Sequence, residues 1–214
     1  MADDRARNDG PVPYFTAFVE GRRGEVLDAA LTVFSSKGYD CGTMRQIAAV
    51  VGVTEPALYR HYTGKEALFE DLIATAGDRA VAEMRARMAQ VRPETVRESL
   101  TELVASGPHR RGGPGGVAQM LLVATPHQEL LLKAFRTHVA RPMFESICEF
   151  VPRVDGFYGI DRSAVETRAR SRAVMSLFVG YFMTSMMLGE AGQDEAVVDA
   201  VLATMGWNGP AHAA

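Results

Sequence analysis

TMRQIAAVVGVTEPALYRHYTGKEALF, residues 43–69, reads as two short helices, a tight turn between them and the opening of a third. Thr43 is placed to cap the first helix, over about 43–51, where Ile47, Ala48 and Val51 form an apolar stripe at i, i+1 and i+4. Gly52 ends it, because a chain that reverses within three or four residues needs a position free to take positive φ. Ala48, four positions earlier, is the small residue that lets the two helices cross. Thr54 is placed to cap the second helix, and Pro56 falls in its first turn, where a missing N–H costs nothing. Leu58 and Tyr62, four apart, point inward, which leaves Glu55, Pro56, Ala57, Tyr59, Arg60 and His61 to the outside. The third helix opens on Thr63-Gly64-Lys65-Glu66, a capping-box spacing that holds Lys65 in the first turn. A cation there suits a phosphate better than its own helix dipole.

Upstream, RRGEVLDAALTVFSSKGYDCGT carries Leu27, Ala30, Leu31 and Phe34 at i, i+3, i+4 and i+7, with Gly38 closing the helix. Together with IAAVVGV, LYRHY and GKEAL, about fifty residues in order and without gaps, this resembles the TetR family of bacterial transcriptional regulators. The resemblance implies phosphate contacts from Thr43, Tyr59, His61 and Lys65, and base-edge contacts from Thr54, Glu55, Pro56, Ala57, Tyr59 and Arg60. Bland alternatives stand beside these roles. Tyr59 and His61 could pack a small three-helix core, and Arg45 and Arg60 could be ordinary solvated charges. Glu55 could accept from a cytosine amine, or simply favour the helix N-terminus.

Bulk charge does not announce nucleic acid: 23 Lys and Arg stand against 26 Asp and Glu, for a net charge of −3. Residues 21–70 balance six basic side chains against six acidic ones, so a basic domain is not the signature here. From 43 to 65, however, Arg45, Arg60 and Lys65 face one acid, Glu55, and Arg22 and Arg23 lie on the leading helix. Placement, not net charge, carries the nucleic-acid reading.

With 214 residues and 47% hydrophobic composition the chain can build a real core. The expected organisation is all-α. An N-terminal arm (1–20) has disordered residues 1–13, and a three-helix DNA-binding domain (21–80) holds the helix-turn-helix at about 43–62. A helical effector-binding and dimerisation domain (81–208) follows. Leu68, Leu72, Ile73, Ala76, Val81, Met84 and Met88 continue the third helix toward Pro93, and 93–105 reads as another. GPHRRGGPGG, 107–116, lacks the phosphate-cradle spacing G-x-x-x-x-G-K-[ST] and reads as a connection. A helix over 117–124 precedes a capping box at Thr125 to Gln128. The helix that follows is expected to be interrupted by Pro142 and to end before a loop at 151–160.

Ser163 and Glu166 again have capping-box spacing, and seventeen uncharged residues follow over 173–189. Ser176, Gly180, Tyr181, Thr184 and Ser185 interrupt that run, which is too short and too polar for a membrane span. A helix apolar on all sides needs cover on all sides. The next helix, 194–205, is amphipathic through Val197, Val198, Val201, Leu202 and Met205. Both helices could pack within their own chain, or pair with a second copy in a four-helix interface, which the family resemblance also implies. Leu177, Tyr181, Leu188, Val197 and Val201 are the expected interface residues. A C2 homodimer would set two reading helices one turn of B-DNA apart, roughly 34 to 36 Å, to match an inverted-repeat, double-stranded operator.

The resemblance further implies a small-molecule effector in the C-terminal body, whose binding swings the long helix and releases a repressor from DNA. Met84, Met88, Met120, Phe135, His138, Phe178 and Phe182 are candidates to line that cavity, although each singly fits ordinary core. Eleven methionines suit a bulky apolar effector. No catalytic residue, metal site or cofactor is expected: Cys41 and Cys148 lie far apart, and HExxH, G-x-S-x-G and nucleotide fingerprints are absent. Sparse cysteine and no secretory leader point to a cytoplasmic protein. A rival reading is a helical carrier or enzyme for an apolar metabolite that keeps the head as a relic.

Overall fold

The computed structural model describes residues 13–105, 128–188 and 194–208, and every regular element among them is helical. The chain divides into two compact units: described residues 13–76 and 128–132 form the first, and the remainder form the second. The division falls after Ala76, four residues before the boundary expected at 80.

In the first unit, α1 (Gly21–Cys41), α2 (Met44–Val51), α3 (Glu55–Tyr59) and the start of α4 (Lys65–Gln90) enclose one core. Val26, Leu27, Ala30, Val33 and Phe34 of α1 meet Met44, Ile47, Ala48, Leu58, Leu68, Phe69 and Leu72, all buried. Rings of Phe34, Tyr39 and Phe69 close it with centroids 4.7 to 5.7 Å apart. α1 breaks at Gly38, where φ is 78° and ψ 163°, so the helix closes where the sequence placed its end. A 3-10 turn at Phe15–Ala17 docks on α1, where the Asp28 carboxylate accepts the backbone N–H groups of Tyr14, Phe15 and Thr16 at 2.7 to 3.0 Å. Phe15 is fully buried by that docking. Residues 1–12 lie outside the described residues.

The second unit holds the rest of α4, a 3-10 turn at Pro93–Thr95, α5 (Val96–Ala105), α7 (Arg141–Phe157), α8 (Ala164–Leu188) and α9 (Asp194–Met205). α6 (Gln128–Phe135) runs into a π-helical segment, Arg136–Ala140, and Pro142 sits in the first turn of α7. The interruption expected at Pro142 thus takes the form of a π-turn. Gly77 of α4 is what lets this turn approach: a Cβ there would lie 2.8 Å from both the His138 carbonyl oxygen and Val139 Cγ2.

The loop expected at 151–160 is instead mostly helix, since α7 continues through Pro152 to Phe157. Burial explains the override. Val151 and Val154 join a core with Val96, Val104, Val174, Val198, Val201, Leu202, Met205 and Trp207. Asp155, 3% exposed, receives Arg162 at 2.8 and 3.0 Å and the Trp207 indole N–H at 2.8 Å. These contacts outweigh the turn signals of Pro152 and Gly156. Ser163 and Glu166 form the expected capping box, with N–H to side-chain distances of 3.0 and 3.2 Å. Among the described residues no helix is long and apolar enough to cross a membrane.

Candidate nucleic-acid interface

Thr43 and Gln46 fix the start of α2 reciprocally, each backbone N–H donating to the other's side-chain oxygen at 3.2 Å. Gly52 takes φ 77° and ψ 31°, the left-handed conformation the turn demands. Val53 N–H then donates back to the Ala48 carbonyl at 2.9 Å. α3 follows as little more than one turn. Thr54 begins it in extended conformation, but no hydrogen bond from its side chain caps the helix, contrary to the expected role. Leu58, 1% exposed, is the residue by which α3 enters the core.

Outside that anchor the segment faces solvent. Thr43, Arg45, Thr54, Pro56, Arg60 and His61 are exposed, Tyr59 is 50% exposed, and Glu55 and Ala57 are half-buried. Core packing therefore does not account for Tyr59 or His61. Arg45, Arg60 and His61 have no ion pair among the described residues. Arg22 and Arg23 do: Arg22 pairs with Glu25, and Arg23 forks onto Asp71. Among the described residues of this unit, the exposed cations without an ion pair are therefore Arg45, Arg60 and His61 around α2 and α3, with Lys37 on α1.

Lys65 is half-buried and engaged within the domain. Its Nζ donates to the carbonyls of Tyr39 and Asp40 at 2.8 and 3.2 Å and lies 4.3 Å from the Tyr39 ring centroid. It caps the C-terminal end of α1, where a cation complements the helix dipole. Thr63 and Glu66 are both exposed, and the reciprocal pair expected of them is not made among the described hydrogen bonds.

Behind α3, Tyr62 OH donates to Asp71 at 2.8 Å, and Arg23 and Thr75 complete the cluster. Burial opposes ionisation of Asp71, but hydrogen bonds from Arg23 and Tyr62 and the guanidinium charge outweigh it and hold the carboxyl below its usual range. Burial first, then the Asp71 carboxylate, raises the Tyr62 phenol well above its ordinary value. The Tyr39 phenol is pushed up to about 12 by burial, with Glu66 and Asp40 adding to it. No sequence pattern joins Arg23 to Asp71, which are 48 positions apart.

In the second unit Met84, Met88, Phe135 and His138 are partly exposed, and Phe178 packs against the valine-rich core. Met120 and the Phe182 side chain lie outside the described residues. None of the described candidates lines the cleft of about 360 Å³ bounded by Glu94, Val96, Arg97, Tyr158, Leu202 and Trp207. Of the expected interface residues, Leu188 is 68% exposed. Leu177, Tyr181 and Val197 are partly buried against their own core. Val201 is 1% exposed and belongs to that core, which removes it from the interface. α9 spends its apolar face within the chain.

Residues 26–72 match the family model described as bacterial regulatory proteins, tetR family. The HTH-type transcriptional repressor KstR2 of Rhodococcus jostii (strain RHA1) is 36% identical over 58 residues, 27% of this chain and 28% of KstR2. IcaR, the HTH-type negative transcriptional regulator of the biofilm operon icaADBC in Staphylococcus aureus (strain Newman), is 34% identical over 56 residues, 26% of this chain and 30% of IcaR. The chain therefore spans less than a third of the length of these curated relatives. The likeness in fold is longer. The crystal structure of the transcriptional regulator FadR from Bacillus subtilis in complex with stearoyl-CoA superposes with a TM-score of 0.66 at 16% identity, covering 85% of this chain and 96% of that one.

Proposed function

We propose that this chain, whose residues 26–72 match the tetR-family model, is a TetR-type ligand-responsive, sequence-specific regulator of transcription, a repressor that binds an inverted repeat as a homodimer. The observation that carries this reading is the solvent face of α2 and α3, where exposed Arg45, Tyr59, Arg60 and His61 surround a helix anchored by one buried leucine. A helix buried along one edge, with Arg60 and His61 exposed just past its end, is shaped for a major groove. Thr43, Tyr59 and His61 are assigned to phosphates, and residues 54–60 to base edges. Lys65 uses two of its three N–H donors on α1 and keeps one for a phosphate oxygen.

The second copy is proposed to cover α8. Val165, Val179 and Leu188 are 78%, 53% and 68% exposed, and Ala169, Ala173, Ser176, Gly180 and Thr184 are exposed between them. Small residues let a partner helix come close, and the larger apolar ones supply area. The effector is proposed to be a small apolar molecule held in the second unit, with Met84, Met88, Phe135 and His138 as candidate contacts. Coupling of the usual size, about 1 to 3 kcal/mol, would change operator affinity about 5- to 150-fold.

A gel shift with DNA flanking the protein's own gene, repeated over a salt series, tests the reading. Retarded, salt-sensitive and sequence-selective complexes are expected. Absence of any shift at micromolar protein would favour the carrier or enzyme reading. Sedimentation showing only a 23.2 kDa species at that concentration would remove the dimer.

A further inference from the structure

A helix of five residues cannot hold its own orientation. Nucleation alone costs more than one turn returns, so the geometry of α3 is imposed from outside. Its first turn gets no help from the Thr54 side chain. Leu58 fixes one point. A single buried point leaves rotation about the helix axis and tilt of the far end undetermined. The far end runs through two amides, His61 and Tyr62, that both donate to the Leu58 carbonyl at 2.9 Å. Tyr62 is therefore rigidly tied to α3, and whatever holds Tyr62 sets the angle of the helix.

What holds it is a closed ring of polar contacts. The Tyr62 hydroxyl donates to Asp71 Oδ2 at 2.8 Å. Arg23 Nε donates to the same oxygen at 3.0 Å, and its terminal nitrogen donates to Oδ1 at 2.6 Å and to Thr75 Oγ1 at 2.8 Å. Thr75 Oγ1 donates in turn to Asp71 Oδ1 at 3.2 Å. Each carboxylate oxygen accepts two hydrogen bonds, and the guanidinium fork locks the plane of the group. Asp71 thus has one orientation, set jointly by α1 and α4, and presents it to Tyr62. Phenylalanine would fill the same space as Tyr62, so packing alone does not call for the hydroxyl.

We propose that Asp71, held by Arg23 and Thr75, is a positioning residue that fixes the angle of α3 through the Tyr62 hydroxyl and so sets discrimination between operator and other DNA. The assignment rests on the DNA-reading function proposed above. It separates two quantities usually lost together. Phosphate contacts from Thr43 and Lys65, which lie on α2 and α4, do not depend on a small rotation of α3, whereas base-edge contacts from Glu55, Tyr59 and Arg60 do.

The test uses the full-length chain and fluorescence anisotropy on two duplexes, the operator fragment retarded in the gel shift and a scrambled duplex of the same length and composition. Tyr62→Phe removes only the hydroxyl. It is expected to weaken operator binding about tenfold, the scale of one hydrogen bond to a charged acceptor. Affinity for the scrambled duplex and the salt slope on both should stay at the wild-type values. Thermal melting of each variant gives the folded fraction at the assay temperature. Thr75→Val, which keeps shape and removes a strut of the ring, is expected to lower the same ratio by a smaller factor. In the double variant Tyr62→Phe with Asp71→Asn, the operator loss should not exceed that of Asp71→Asn alone, because both changes break one linkage. An unchanged operator-to-scrambled ratio in Tyr62→Phe, or equal loss on both duplexes, would overturn the positioning role while leaving DNA binding intact. A wild-type chain that binds both duplexes equally would overturn the DNA-reading function and this assignment with it.

Discussion

α3 and α9 are both short helices with apolar residues at helical spacing, and they spend those residues in opposite ways. α3 buries Leu58 and leaves most of its surface to solvent, while α9 buries Val198, Val201, Leu202 and Met205 in its own unit. A helix with one anchor needs external pins and has surface to offer a partner. A helix with four anchors is self-sufficient and has little left. Periodicity alone does not separate these cases, since it reports that a face is apolar and not what covers it. That is why Val201, expected at an interface, lies in the core, and why α8 and not α9 is the face proposed for a second copy.

The largest effect should come from removing either helix's anchor. Leu58→Ala and Leu202→Ala each delete a fully buried side chain and are expected to cost about 2 to 5 kcal/mol in urea unfolding. They differ in what else they change. Leu58→Ala should abolish operator binding at protein concentrations where Leu202→Ala, if still folded, retains it. Loss of binding equally in both would erase the functional contrast between the helices.

Arg60→Ala probes the surface that α3 leaves free. Operator affinity should fall by about 1 to 3 kcal/mol and specificity should relax at one base position, while melting stays within about 0.5 kcal/mol of wild type. A melting shift as large as the binding loss would place Arg60 in the fold and not in the reading.

Lys65→Ala should do both things at once, more weakly. It removes the cap on the Tyr39 and Asp40 carbonyls, lowering the melting temperature by a few degrees for about 1 kcal/mol. It should also reduce the salt slope of DNA binding by about one. A slope that does not change would make Lys65 purely a helix cap.

The smallest effect is in the acid range. The Asp71 carboxyl lies below its unfolded value of about 3.9, so its contribution is present above that pH and lost as pH falls through the folded value. Unfolding free energy of the wild type should therefore decline below about pH 4 more steeply than that of Asp71→Asn. Parallel curves would mean the carboxylate is not held in its charged form.

Much of the first unit was legible in residues 43–69, because turn chemistry is local. Thr43, Gly52 and Pro56 occupy positions whose backbone demands few residue types can meet. The pins of that unit were not legible. Asp28 binds amides 12 to 14 positions upstream, and Arg23 reaches Asp71 across 48. Nothing in either neighbourhood marks the partner. In the second unit the error ran the other way. Pro152 and Gly156 carry local turn signals, and burial of Val151, Val154 and Asp155 keeps the helix going through them. The cleft beside Trp207 is likewise assembled from three distant segments, so a list of methionines and phenylalanines had no route to it.

The central claim, that paired copies present the free face of α3 to DNA, is tested most directly by selecting binding sites for the purified full-length chain from a library of random duplex DNA. The account predicts enrichment of an inverted repeat whose half-site centres lie about one helical turn, or a whole number of turns, apart. Recovery of sequences no different from the starting library would contradict it.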